Sequence, residues 1–358
     1  MTISVEDLLR KQIAAIDKAI EEYVPRRFEE NSIVFELSRP RYAYNLQALN
    51  KAIAEPIWEF LSRGGKRWRP TLFLLICEAL GKNPKSFMKF AIIPEVIHNG
   101  TLMIDDIEDQ SEVRRGKQCT YRLFGLDVAI NTGNAMYYLP LLPLIETQNE
   151  ITTETKNKAY EIYIQEMINL SFGQAMDIAW HKGLAEADKI DEKSYLQMCA
   201  YKTGTLARIA AKLAAVLSGA DTELTEKLGL FAESIGVAFQ IQDDILDLTG
   251  KKFSQKKGAP GMDVSEGKRT LMIIHTLKTA TAKDRNRLEH ILRMHTKDQR
   301  LRDEAIAIIR KYKAVEYARE YAREIVRESW RNVEEAIAAS DAKEKLKAFA
   351  DYLVERSI

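Results

Sequence analysis

Two acidic runs carry the strongest chemical signal in this chain, Asp105-Asp106-Ile107-Glu108-Asp109 and Asp243-Asp244-Ile245-Leu246-Asp247. Each has the form D-D-x-x-D, and each follows an apolar stretch, Leu102-Met103-Ile104 or Phe239-Gln240-Ile241. On a helix the first and last aspartates stand at i,i+4 and the second and last at i,i+3, so three carboxylates share one face. They repel by roughly a few tenths of a kcal/mol per exposed pair, and by more when burial lowers the local dielectric. Hard divalent cations, which favour oxygen ligands, relieve that repulsion. One such run reads as a solvated helix end. Two, 138 residues apart (243 − 105), predict a metal site with two walls.

Four basic segments supply what a metal–phosphate site needs. In Gly64-Gly65-Lys66-Arg67-Trp68-Arg69-Pro70 the glycines permit close backbone approach, and Pro70 can open a helix at its first position. Lys66, Arg67 and Arg69 then cluster at a helix N-terminus as an anion cradle, or form an exposed basic loop. Arg114-Arg115-Gly116-Lys117 follows the first acidic run closely, either balancing its charge or presenting planar forks to phosphate. Lys202-Thr203-Gly204 precedes an Ala- and Leu-rich stretch and reads as a helix start that also suits an anion. Finally, Lys256-Lys257-Gly258-Ala259-Pro260-Gly261-Met262-Asp263, with Glu266-Gly267-Lys268 beyond, reads as a loop able to close over a charged ligand.

The elements that must position these groups are helices. Eight of the nine prolines lie at or before Pro143, leaving the rest interrupted only by Pro260. Residues 205–217 predict a deeply buried helix, and 299–336 predict outer amphipathic ones. Val5, Leu8, Leu9, Ile13, Ile16 and Ile20 predict an amphipathic helix over 1–24, with a less regular segment running to about Pro40. Alternating β-branched runs with hairpin turn pairs are missing, so no sheet is expected. The predicted fold is all-α, a single large helical bundle around a central cavity, one domain over 1–358 with residues 1–40 as an N-terminal helical extension.

Composition narrows the rest. With 46% hydrophobic residues the chain can bury a large core, and a net charge of +1 gives no global field to recruit nucleic acid or a membrane surface. Cys77, Cys119 and Cys199 are odd in number and lack CxxC spacing, so they read as buried small hydrophobes in a reducing compartment. Neither a signal peptide nor a stretch of transmembrane length is evident, and a soluble cytoplasmic protein is expected.

In order along the chain, GGKRWRP, two D-D-x-x-D runs, RRGK, KTG and FQIQDD resemble the trans-prenyl diphosphate synthases, from about Tyr42 to Lys268 and weakly beyond. The segments His98–Asp109 and Ile168–Trp180 are most similar to those of geranylgeranyl diphosphate synthases. The resemblance implies an isoprenoid synthase-like fold and condensation of isopentenyl diphosphate with an allylic diphosphate (dimethylallyl, geranyl or farnesyl) to an all-trans product. It implies Mg²⁺ held by Asp105, Asp106, Asp109, Asp243, Asp244 and Asp247, with Arg114, Lys202, Lys257 and Lys268 on the allylic diphosphate. It assigns the isopentenyl diphosphate to Lys66, Arg69, His98 and Arg115, with Phe239 against that substrate and Thr203 and Gln240 steadying the carbocation. The departing diphosphate serves as the final base, and a homodimer is implied. One departure stands out: the family's loop lysine falls at Gly258 here, with Lys257 one residue earlier.

Product length is read from the residues below the first acidic run. Gly100 and Thr101 lie roughly 6–7.5 Å below it at helical rise. Their small size is expected to leave a channel open for at least twenty carbons, with Tyr137 and Tyr138 as a deeper floor. Gly100→Phe is then expected to shorten the product. Longer polyprenyl or farnesyl products are the alternatives of the same chemistry. A terpene cyclase would replace the second aspartate run, a non-catalytic subunit would lose aspartates, and a metal-storage bundle would favour Glu-x-x-His pairs.

Overall fold

The computed structural model describes residues 4–30, 32, 40–147, 150–186, 189–249 and 260–355. Helices dominate: α1 Val5–Tyr23, α2 Glu55–Leu61, α3 Trp68–Ala79, α4 Met88–Glu108, α5 Leu126–Tyr138, α6 Thr153–His181, α7 Glu192–Cys199, α8 Thr205–Leu217 and α9 Thr222–Thr249. The short α10 Met262–Ser265 follows, then α11 Leu271–Thr279, α12 Ala282–Arg293, α13 Gln299–Lys311, α14 Ala314–Glu334 and α15 Asp341–Glu355. The fold is all-α, as the periodicity predicts.

A two-stranded hairpin departs from the expectation of no sheet. Strands β1 Val113–Arg114 and β2 Lys117–Gln118 pair antiparallel. They enclose Arg115 (φ 53°) and Gly116 (φ 77°), and two positive φ values in a two-residue turn match the twist of the flanking strands. The turn therefore falls on the Arg-Arg-Gly-Lys segment, which lacks the Asn-Gly or Asp-Gly signature that would announce it.

Two compact units emerge, one of Met1–Ile162, Ile209–Thr225 and Ala338–Leu346, the other of Tyr163–Arg208, Glu226–Ile337 and Lys347–Ile358. In the first, α1 starts on Ser4, whose hydroxyl accepts from the Asp7 amide. Its Ile16, Ala19 and Ile20 pack into a core with Ile57, Trp58, Phe60, Ile92, Val96, Met103 and Met136. Each large side chain so buried contributes about 1.5–3 kcal/mol. Trp58 satisfies its indole N–H on the Val24 carbonyl at 2.9 Å and stacks under Arg26 at 3.9 Å. In the second unit Phe231 and Trp330 tilt together at 5.2 Å, and His275 stacks on Tyr317 at 4.0 Å. All three cysteines are free and buried. No helix among the described residues is long and apolar enough to cross a membrane.

Candidate active site

In the first unit, α4 delivers His98, Asn99 and Gly100, then Asp105 and Asp106 in its last turns, with Asp109 as the exposed C-cap. Asp106 is completely buried. Both Arg114 Nε (2.7 Å) and Nη2 (2.6 Å) reach its Oδ1, and Nη2 lies 3.4 Å from Asp105 Oδ2. Asp106 Oδ2 is left buried without a hydrogen-bond partner. Burial raises the Asp106 pKa, opposed by Arg114. The neighbouring Cys119 thiol is pushed up to about 12 by burial and by Asp106.

Beside this run the potential is positive. His98 is held well below the ordinary imidazole value of 6.5 by burial, then by Arg69, Arg115, Arg114 and Arg67. It is therefore neutral near pH 7. Arg115 is lowered to about 10 by its own burial and by the neighbouring guanidiniums, with Glu95 opposing. Lys66 is exposed, whereas Arg69 is buried and its guanidinium stacks 4.4 Å from the Trp68 ring centre. Pro70 is the third helical residue rather than the first, because the left-handed Arg67 (φ 51°) caps α3 and Trp68 opens it. Arg67 itself leaves the predicted cradle, being buried against Asp17 and Glu95.

In the second unit, α9 carries Phe239, Gln240 and the second aspartate run. Thr203 Oγ1 meets Gln240 Oε1 at 3.0 Å, Gln240 Nε2 donates to Asp244 Oδ1 at 2.9 Å, and Tyr195 OH donates to Asp244 Oδ2 at 2.6 Å. Burial, followed by Asp263, drives Asp244 up to about 8. Phe239, Gln240 and Asp243 are half-buried. Asp247 differs from the others: its two oxygens accept the amides of Met262 (3.3 Å) and Asp263 (3.1 Å), anchoring the start of α10. Lys202 pairs with Asp177 at 2.5 Å. Lys268 pairs with Glu266 at 2.6 Å and approaches Asp263 at 3.6 Å. Burial lowers the Lys268 pKa, but Asp263, Glu266 and Asp177 outweigh it and hold the pKa well above 10.5. Lys257 and Gly258 lie outside the described residues.

One expectation needs correcting. Lys202-Thr203-Gly204 does not open a helix; it lies in a π-helical turn, Ala200–Gly204, between α7 and α8. Such turns widen the backbone ring and often mark functional sites. The turn is accommodated by glycines: a Cβ on Gly236 would stand 2.6 Å from Gly204 Cα, and one on Gly173 would stand 2.6 Å from the Tyr201 carbonyl carbon. Gly100 is tightly packed: a Cβ there would meet the Gly133 carbonyl at 2.8 Å, Met136 Cβ at 2.9 Å and Tyr137 Cε1 at 3.2 Å. Gly100 is a contact point between α4 and α5. Thr101 Oγ1 bonds back to the His98 carbonyl at 2.7 Å, Tyr137 is half-buried, and Tyr138 is 66% exposed.

Sequence reasoning missed Tyr195, Asp177, Glu95 and Asn99. Helical register offered a signal for two of them: Tyr195 stands seven residues before Lys202, and Glu95 three before His98.

The donor sets suit a hard cation. Among the described residues no three His, Cys, Asp or Glu side chains converge on one point. Mg²⁺ needs no such cage, because it keeps water and substrate phosphate among its ligands and takes only one or two carboxylates. The buried, partnerless Asp106 Oδ2 fits that demand.

These features define an all-α protein with one anion-receptive and one carboxylate-rich set of side chains. The chain belongs to the polyprenyl synthetase family, whose model matches residues 50–309. It is 35% identical over 296 residues to a short chain isoprenyl diphosphate synthase of Methanothermobacter thermautotrophicus, covering 83% of this chain and 88% of that one. It is 34% identical over 299 residues to a geranylgeranyl pyrophosphate synthase of Geoglobus acetivorans, with 83% and 88% covered. Its fold matches the crystal structure of geranylgeranyl pyrophosphate synthetase from Pyrococcus horikoshii with a TM-score of 0.83 at 28% identity, covering 98% of this chain and 99% of that one.

Proposed function

We propose that this chain is a Mg²⁺-dependent prenyltransferase that joins isopentenyl diphosphate to an allylic diphosphate, giving an all-trans prenyl diphosphate of twenty carbons, geranylgeranyl diphosphate. The observation that carries the reading is the family match over residues 50–309, and the cluster of Arg69, Arg114 and Arg115 about His98 supplies the positive potential a polyvalent anion requires. The names of the relatives support the product length, and the family match spans residues of both compact units, which supports one catalytic domain.

In this reading Lys66, Arg69, His98 and Arg115 hold the isopentenyl diphosphate, and Phe239 packs on its hydrocarbon part. Arg114, Lys202, Lys257 and Lys268 bind the allylic diphosphate. Asp105, Asp106 and Asp109, with Asp243, Asp244 and Asp247, supply carboxylate oxygens to Mg²⁺. Bound Mg²⁺ supplies charge stabilisation for the diphosphate leaving the allylic carbon. The Thr203 and Gln240 dipoles steady the allylic cation while the isopentenyl double bond attacks it. The proton lost afterwards passes to the released diphosphate, so no protein base is required.

A homodimer and a cytoplasmic location belong to the same proposal. The first is supported by apolar stripes exposed at helical spacing, Leu126, Ile130 and Tyr138 on α5 and Ile164, Ile168 and Phe172 on α6. Light scattering that gives the mass of one chain would refute the dimer. The decisive assay supplies isopentenyl diphosphate with each allylic starter and Mg²⁺, followed by chromatography of the dephosphorylated product. A twenty-carbon alcohol is expected, and no elongation would overturn the reading.

A further inference from the structure

We propose that Glu95 and Asn99 are positioning residues for isopentenyl diphosphate, acting through Arg115, and that Asp17 ties the N-terminal helix α1 to the same network. The proposal rests on the function proposed above.

Glu95 is a buried carboxylate, 3% exposed, set among guanidinium groups. Its Oε1 accepts from Arg67 Nη1 at 3.0 Å and from Asn99 Nδ2 at 3.1 Å. Arg67 spends its remaining donors on Asp17 Oδ1, reached by Nε at 2.8 Å, and on the Leu61 carbonyl, reached by Nη2 at 3.2 Å. Three acceptors in three directions fix the plane of this guanidinium.

The Asn99 amide has one consistent orientation. Its Nδ2 donates to the Glu95 carbonyl at 2.7 Å as well as to Oε1, so its Oδ1 must face Arg115, whose Nη1 donates to it at 3.0 Å. The same Nη1 donates to the Gly64 carbonyl at 2.6 Å, and the Arg115 guanidinium sits 5.2 Å from the Phe60 ring centre. Gly65 is enclosed by the result: a Cβ there would stand 2.8 Å from Arg67 Nη1 and 3.6 Å from Arg115 Nη2.

The Arg67 and Arg115 guanidinium groups thus flank the same glycine. Glu95 supplies the negative charge that keeps them there before any ligand binds, and Asn99 converts that charge into an orientation of Arg115. Preorganising a cation in this way raises affinity by removing an ordering cost at the moment of binding. Asp17 lies next to Ile16, which is buried in the core against α2 and α4, so packing of α1 and the posture of Arg67 are coupled.

The test is steady-state kinetics of Glu95→Gln, Asn99→Ala and Asp17→Asn in the full-length enzyme, varying each substrate in turn and recording thermal melts. Glu95→Gln and Asn99→Ala are expected to raise KM for isopentenyl diphosphate about tenfold, with kcat and the allylic KM within about twofold. Asp17→Asn, which removes the charge paired with Arg67, is expected to raise it about threefold. Parallel rises in both KM values, or a lower Tm with KM unchanged, would overturn the proposal. If Glu95→Gln does not fold, Asn99→Ala decides alone, because it leaves the Arg67–Glu95 pair intact. Absence of elongation by the wild type would overturn the proposed function and this proposal with it, whereas active variants with unaltered KM would overturn this proposal only.

Discussion

The two aspartate runs share one sequence pattern and sit in opposite electrostatic settings. The first lies under a positive field: Arg114 already holds Asp105 and Asp106, and the surrounding guanidiniums keep His98 neutral. The second lies in a negative one: Tyr195 and Gln240, both uncharged, are the donors to Asp244, while Asp177, Asp263 and Glu266 hold Lys268 protonated. A motif therefore specifies carboxylate spacing and leaves the charge state to its neighbours. The first region is suited to receive an anion beside a neutralised carboxylate pair, and the second retains more of its demand for a cation.

The largest effect expected is on turnover. Asp105→Ala and Asp243→Ala should each lower kcat by roughly a thousandfold, the scale of losing one preorganised electrostatic contact, with Tm nearly unchanged. The contrast is sharpened by calorimetric titration of Mg²⁺ without substrate, where Asp243→Ala should lose more affinity than Asp105→Ala. Equal losses would break the comparison.

Stability should separate the regions next. Arg114→Met leaves Asp106 buried without its counter-charge and should cost about 3 kcal/mol in metal-free protein. Tyr195→Phe removes one neutral donor and should cost about 1–2 kcal/mol. Urea unfolding of both variants measures the difference. Gly100→Ala should cost about 1–3 kcal/mol by overpacking against Gly133 while leaving product length unchanged. A shortened product with undiminished stability would instead make Gly100 a channel wall.

The last contrast is a pair of opposite pH slopes. Unfolded Asp244 loses its proton near 3.8, whereas the folded carboxyl keeps it to about 8, so this group contributes stability that is lost as pH rises between those values. His98 behaves in the reverse sense. The unfolded imidazole takes a proton below about 6.5 that the folded one refuses, so stability is lost as pH falls through that value. Thermal melts in chelator should show Asp244→Asn flattening the alkaline slope and His98→Gln flattening the acid one.

Much of this was legible before folding, for identifiable reasons. Helical periodicity survives any tertiary arrangement, so α1, the buried α8 and the amphipathic α13 and α14 could be read directly. The acidic runs and basic segments could also be picked out, because charge spacing is a local property of the sequence. Two features could not be read: the local hairpin at Arg115-Gly116, which lacks a turn signature, and the π-helical turn at Lys202, which is permitted by contacts with the distant Gly173 and Gly236.

The sequence by itself determined the helical class, the two carboxylate triplets and the supply of cations to meet them, because composition and period are local properties of the chain. Tertiary structure alone decided which partners these groups already hold. Arg67 went to Asp17 and Glu95, Asp247 to backbone amides, and Gly100 to a helix contact. The reason is physical: an ion pair, a capped helix or a close glycine contact is settled by separations of about 3 Å between residues that the sequence places tens of positions apart.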